Sequence, residues 1–178
     1  MKKTVLLSSL IAAAMLFSNC GDKKKSNNNP TGPGGVTSGS FKATLSGDVN
    51  LSFNAITAYG HTSNTETTKE MTVVGEMTAG TVKYSLTLSI DKAPATGNYT
   101  LGDAIHAEDA DGFGIFTVVR SESDFDTYFS ATGTAQFTTV GTTLKGTFSF
   151  TAEFTDPETF ETKQITVASG TFEVPVYN

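Results

Sequence analysis

Few residues in this chain carry chemistry. Cys20 is the single cysteine among 178 residues, and His61 and His106 are the two histidines. Both histidines fall in polar, irregular stretches without the spacing of a metal-binding pair, which reads as exposed loop positions. Asp124 and Asp126 are the type of carboxylate pair that acid-base catalysis uses, but sequence alone cannot set two carboxylates at a working separation. The chain has no Gly-x-Ser-x-Gly elbow, no phosphate-cradling glycine loop and no second thiol. We therefore expect no enzyme and no cofactor. The densest cluster is Glu108-Asp109-Ala110-Asp111-Gly112, where oxygen ligands alternate around a glycine turn as Ca²⁺ prefers. Glu108, Asp109 and Asp111 are thus the candidate metal ligands. The remaining loop positions and the distal bidentate glutamate of a full calcium loop are missing, and a solvated acidic turn is the competing reading.

Cys20 gains meaning from what precedes it. Lys2 and Lys3 form a positive start, and Thr4 to Phe17 is an apolar run of about fourteen residues, suited to a signal-peptide core and short for a bilayer-spanning helix. The run ends in Leu16-Phe17-Ser18-Asn19-Cys20, which resembles the bacterial lipoprotein signal, in which the cysteine becomes the lipidated N-terminus. The alternative is an incidental thiol lost with the leader. A lone cysteine in an exported protein has no disulfide partner, and this favours lipidation. Each buried methylene contributes about 0.8 kcal/mol, so two or three acyl chains would hold the protein to a membrane. The residue after it is Gly21 rather than Asp, which by resemblance to lipoprotein sorting in enteric bacteria implies the outer membrane, with its periplasmic and surface faces both open.

The segment from Gly21 to Ser40 holds Lys23-Lys24-Lys25, Asn27-Asn28-Asn29, Pro30, Pro33 and Gly34-Gly35 without apolar periodicity, and is expected to be a disordered tether. As a flexible coil it reaches on the order of 25 Å. Residues 1–19 are thus expected to be the signal peptide, 20–39 the lipidated cysteine and tether, and 40–178 one domain. Of the 18 acids 17 lie from residue 40 onward, but only seven of the 12 bases do, a formal charge of −10. Such a surface argues against nucleic acid as a partner.

The domain is rich in Thr, Ser, Gly, Phe and Val and reads as all-β. In Thr81 to Asp91, Val82, Tyr84, Leu86, Leu88 and Ile90 alternate strictly with polar residues, as a strand with one buried face requires. Phe41, Ala43 and Leu45 open the domain, Gly47-Asp48 turns the chain, and Ala79-Gly80 forms a hairpin. Phe113 to Val119 is apolar on both faces, which fits a central strand or one covered by a loop. Ser121 to Asp124 is expected to lead into Phe125, Thr127 and Phe129. Leu144, Gly146, Phe148, Phe150, Ala152 and Phe154 share one face of a long central strand. Its neighbour has Ile165 and Val167 inward at one parity and Phe172, Val174 and Val176 at the other, so a β-bulge is expected at Ala168-Ser169-Gly170. Nine to ten strands suit an antiparallel β-sandwich or a partly closed barrel.

Three segments, Gly97-Asn98-Tyr99-Thr100-Leu101-Gly102, Gly146-Thr147-Phe148-Ser149-Phe150-Thr151-Ala152 and Ser169-Gly170-Thr171-Phe172-Glu173-Val174-Pro175, resemble small lipoproteins of Bacteroidetes and related bacteria, a family of unknown function. The resemblance implies a β-rich, membrane-tethered domain and supplies no activity. Tyr59, Tyr128 and Phe160 are expected on loops, where rings either stack on a sugar or partner or cap the core. Two functions stay open: a surface interaction or structural lipoprotein, marked by an exposed apolar patch, or a small-ligand carrier for a sugar or apolar molecule, marked by an enclosed cavity. The abundance of inward Phe favours the first. The expected partners are the membrane, through the acyl chains, and another envelope protein or a glycan.

Overall fold

The computed structural model describes residues 31–32, 36–103 and 109–177. Cys20, the leader, Glu108 and His106 lie outside the described residues, as do residues 20–30 and 33–35 of the tether. After a two-residue pairing of Thr31–Gly32 with Val36–Thr37, the chain forms ten strands. These are β1 (Ser40–Gly47), β2 (Leu51–Asn54), β3 (Thr57–Asn64), β4 (Lys69–Ala79), β5 (Val82–Ile90), β6 (Gly97–Leu101), β7 (Gly112–Val119), β8 (Phe125–Thr139), β9 (Thr143–Thr155) and β10 (Thr162–Pro175). All ten join one sheet in the order β2-β1-β10-β9-β8-β6-β7-β5-β4-β3, with β8 also paired to β7. The pairings are antiparallel except for a single parallel contact of Leu101 with Gly112. The sheet is not closed into a barrel.

The sheet instead curls over β8. The first half of β8 pairs with β7 (Phe125 opposite Val119) and the second half with β6 (Gly133 opposite Leu101). Between them Ala131 is the extra residue of a bulge: Ser130 faces Ala152, while Thr132 faces Thr151. One inserted residue reverses which side chains point inward. Tyr128 and Ser130 are therefore buried before the bulge, and Ala135 and Phe137 after it. The buried Ser130 holds the corner, because Gly114 N donates to its Oγ at 2.9 Å and that hydroxyl donates to the Gly102 carbonyl.

Two half-sheets consequently face each other. Rings from β1 and β9 meet glycines of the opposing layer: a Cβ on Gly75 would lie 2.8 Å from the Phe41 ring, and one on Gly114 2.7 Å from the ring of Phe150. Only a residue without a side chain admits a ring so close. Phe41, Phe148, Phe172 and Phe137 fill the space between the layers, with centroids 5.1 Å apart for Phe41 and Phe148 and 5.0 Å for Phe137 and Phe172. Burying each such ring contributes roughly 1.5 to 3 kcal/mol by area, and each good ring pair about 1 kcal/mol more.

The β5 alternation, the Gly80 turn (φ 63°), the inward face of β9 and the β10 bulge agree with expectation. The bulge has Ser169 in the left-handed region at φ 53°. Three placements differ. Thr57–Asn64 is a strand that alternation does not pick out, because its inward positions are Ala58, Gly60 and Thr62, too small or polar to register. His61 and Tyr59 thus sit on a strand and not in a loop. Tyr128 is not on a loop but is 1% exposed in mid-strand, its ring 6.1 Å from that of Phe116. Phe160 is on a turn and 79% exposed, as expected.

Candidate functional site

The outer surface of the layer β3-β4-β5-β7-β8 is unusual for a sheet face in contact with water. Because β7 puts Phe116 and Val118 inward, Phe113, Ile115 and Val119 point outward. Phe125 and Phe129 do the same on β8, since the bulge holds Tyr128 inside. Register aligns these side chains across strands. Tyr59 lies opposite Val74, Val74 opposite Thr87, Thr87 opposite Ile115, and Ile115 opposite Phe129. Val119 pairs with Phe125, which is 57% exposed. The partly buried apolar residues that pack on the core include Tyr84, Phe154 and Val176, whereas Tyr59, Val74, Phe113, Ile115, Val119 and Phe129 are half-buried on the outward side. They form an apolar stripe drawn from β3, β4, β7 and β8, with Thr87 of β5 in the middle of the row.

Carboxylates border the stripe. Glu70 and Glu76 are on the outward positions of β4, and Asp91 follows β5. Glu153 of β9 lies directly opposite Phe129. Desolvation raises the Glu76 carboxyl above its ordinary range, and the nearby Lys83 ammonium partly offsets this. Asp91 is raised for the same first reason, with Glu70 adding repulsion and Lys92 opposing it. Burial, joined at Asp91 by the repulsion of Glu70, is the physical cause. The Tyr59 hydroxyl is also raised, by burial and then by the Glu76 charge. Beyond the β7–β8 turn, Arg120 holds Asp124 at 2.9 Å and Asp126 at 2.6 Å, so this acidic pair is tied to a guanidinium.

The opposite layer presents a different surface. Its outward residues are mostly hydroxyls and amides, and beside the β10 bulge they line a groove of about 360 Å³. Asn98, Thr134, Gln136, Thr147, Ser149 and Thr171 surround it, with Ser169 at the bulge itself, and no ionised group is among them.

The acidic turn serves the fold. Asp111 Oδ2 accepts hydrogen bonds from Thr100 N at 2.8 Å and Thr100 Oγ1 at 3.0 Å, and Lys92 Nζ is 3.5 Å from Oδ1. The backbone bond from Thr100 is the main reason that the Asp111 carboxyl is held below its ordinary range. Asp109 is exposed. Among the described residues no three His, Cys, Asp or Glu side chains gather in a way that could hold a metal. His61 Nδ1 lies 3.0 Å from the Tyr177 carbonyl and Nε2 3.5 Å from Glu70, so it ties the edge strand to the chain's end.

Comparison with protein-family models, with curated proteins and with solved structures finds no match for this chain. The outer stripe was half legible in the sequence, where Phe113 to Val119 is apolar on both faces. Its β8 half was not, because the side of Phe125 and Phe129 depends on a bulge that lacks a glycine marker.

Proposed function

We propose that this chain is an exported lipoprotein, anchored to the outer membrane through acyl chains on Cys20, whose β domain is a surface interaction module. The stripe of Ile115, Phe129, Val119 and Phe125 carries this reading. Two outward apolar pairs, Ile115 with Phe129 and Val119 with Phe125, flank the Thr117–Thr127 pair, and apolar side chains gathered on an outer face mark a surface that is covered when the protein works. The resemblance to small β-rich lipoproteins of Bacteroidetes and the tether of residues 20–39 belong to the same proposal.

Two measurements test it. Replacing Cys20 by Ala is expected to abolish fatty-acid labelling and release the protein from membranes. Replacing Phe129 by Ser is expected to leave the fold and anchoring intact while removing association with its envelope partner in cross-linked membranes. Unchanged labelling would refute the anchor, and unchanged cross-linking the interaction face.

A second reading has one observation in its favour. The groove beside the β10 bulge has a neutral hydroxyl and amide lining, suited to an uncharged sugar. The interior space is occupied by the phenylalanine rings, so such a ligand would sit on the outside of the domain. Saturable sugar binding lost in Gln136→Ala would favour this reading over the first.

A further inference from the structure

We infer that the stripe is the docking face for a basic amphipathic segment of a partner protein, an assignment that rests on the interaction reading above. The argument is the charge that surrounds the apolar residues. On the outward face of this layer, among the described residues, the acids Glu70, Glu76, Asp91 and Glu153 outnumber the basic groups near them, which are Lys83, His61 at 3.5 Å from Glu70, and Lys92 beside Asp91. Glu153 is directly across from Phe129, and Glu76 is in the strand position next to Val74, two residues along. An occupant that covers Ile115 and Phe129 therefore brings its flanks within reach of these carboxylates. Two of them are already partly desolvated, which raises the carboxyls of Glu76 and Asp91 and makes a cationic neighbour more favourable there than in open water.

The same charges disfavour the other occupants of an apolar face. A second copy would set four acids against four acids across an apolar seam, and like charges across an interface oppose association. An anionic lipid surface would meet the same acids, and surface binding to such lipids draws on lysine and arginine. A segment with Leu, Ile or Phe along one side and Lys or Arg along its margins satisfies both parts of the face. Complementarity of this kind accelerates encounter and fixes register, and the apolar contact supplies the residence time.

The test uses the soluble chain from residue 21 onward and a fluorescent 18-residue peptide of leucine and lysine with one apolar side, alongside the same peptide with glutamate in place of lysine. The basic peptide is expected to bind saturably, at least tenfold more tightly than the acidic one, and to weaken as salt rises from 50 to 500 mM because exposed charges are screened. Phe129→Ser and Ile115→Ser should each weaken binding at least tenfold, and Glu76→Gln/Glu153→Gln should weaken it severalfold and flatten the salt dependence. Equal binding of the two peptides, both lost in Phe129→Ser, would overturn the charge assignment and leave the interaction face standing. Binding of the basic peptide unchanged in Phe129→Ser and Ile115→Ser would overturn both. Concentration-dependent dimerisation abolished by Phe129→Ser, or binding to vesicles containing phosphatidylglycerol in preference to the peptide, would overturn the choice of occupant.

Discussion

Replacing Gly114 by Ala tests the way in which the two layers are held together. No positive φ is required at Gly114, so its backbone accepts alanine and the effect is purely steric. The new methyl would start 2.7 Å and 2.8 Å from two carbons of the Phe150 ring, and ordinary contact requires the ring to retreat by roughly 0.7 Å. That ring has little room to move: it is stacked on Phe148 at 6.3 Å, and its Cβ lies so close to Gly133 that a side chain there would collide with it. Interiors packed to this density do not yield cheaply, and overpacking of one methyl costs about 1 to 3 kcal/mol. For a domain of this size that lowers Tm by about 3 to 10 °C. Gly141→Ala is the control, since nothing lies within 4 Å of its added carbon. Its effect should stay within about 0.5 kcal/mol. Urea unfolding followed by near-ultraviolet dichroism gives both values. In Phe150→Leu the obstructing ring is gone, so adding Gly114→Ala to that background should cost at least about 1 kcal/mol less than it does in the wild type. Equal effects at Gly114 and Gly141, or strict additivity with Phe150→Leu, would refute the ring-on-glycine joint.

Three further outcomes follow from local geometry. Phe160 is in the left-handed region at φ 61° and 79% exposed, so Phe160→Gly should raise stability by up to about 1 kcal/mol, read as a higher urea midpoint. Asp111 has a lowered carboxyl pKa, so its contribution is present above the ordinary carboxylate range and is lost as pH falls through the lowered value. Asp111→Ala should therefore be less stable than wild type at pH 7, with the gap narrowing as pH falls below the ordinary carboxylate range in a pH series of unfolding curves. Glu76 has the opposite sign: with a raised carboxyl pKa, its charge opposes folding above that value, and wild-type stability improves as pH falls through it. Glu76→Gln should be modestly more stable at pH 7, an effect reduced by the solvent that still reaches the group, and the advantage should disappear in acid.

The sequence makes the fold legible wherever large apolar residues alternate. β5, β9 and the two halves of β10 can be read directly, and the parity break at Ala168-Ser169-Gly170 locates a bulge because residues on both sides of it are large. β3 is invisible to the same rule because the other layer lies close above it. Gly60 leaves space for Leu144 and Val174, and a bigger inward residue would not fit. The β8 bulge is hidden for another reason. Phe125, Thr127 and Phe129 are more apolar than Asp126, Tyr128 and Ser130, so local pattern selects the face that the fold turns outward. The choice comes from tertiary contacts: Ser130 bonds Gly114 and Gly102, and Tyr128 takes its place between the rings of Phe116 and Phe154. The candidate site is hidden by the same pattern, since its β8 half consists of the residues that the bulge turns out. The acidic turn is the reverse case, conspicuous in sequence, yet its Asp111 is engaged with Thr100 and Lys92.

How the sheet ends narrows the means by which this domain can associate. A ten-strand sheet that does not close has two edges, and unpaired edges recruit other strands. The β3 edge is already occupied. Gly39 N donates to the Ala58 carbonyl at 2.9 Å, Ala58 N donates to Ser38 Oγ at 2.9 Å, and Tyr177 N donates to the Gly60 carbonyl at 2.9 Å. The other edge, β2, is only four residues long, and the chain leaves it through Ala55 and Ile56, whose amides donate to Phe41 and Glu76. Neither edge offers the long, flat run of backbone groups that strand addition requires. The faces are what remain. One is lined with hydroxyls that water satisfies, whereas the other presents the exposed Phe125 and the half-buried Ile115, Val119 and Phe129, which water does not satisfy. Association through side chains on a face, unlike strand addition, is broken by a single outward substitution that leaves every backbone hydrogen bond in place. Phe129→Ser is therefore expected to preserve the amide-exchange protection of β7 and β8 while the partner is lost. A partner bound by strand addition would keep its affinity for that variant.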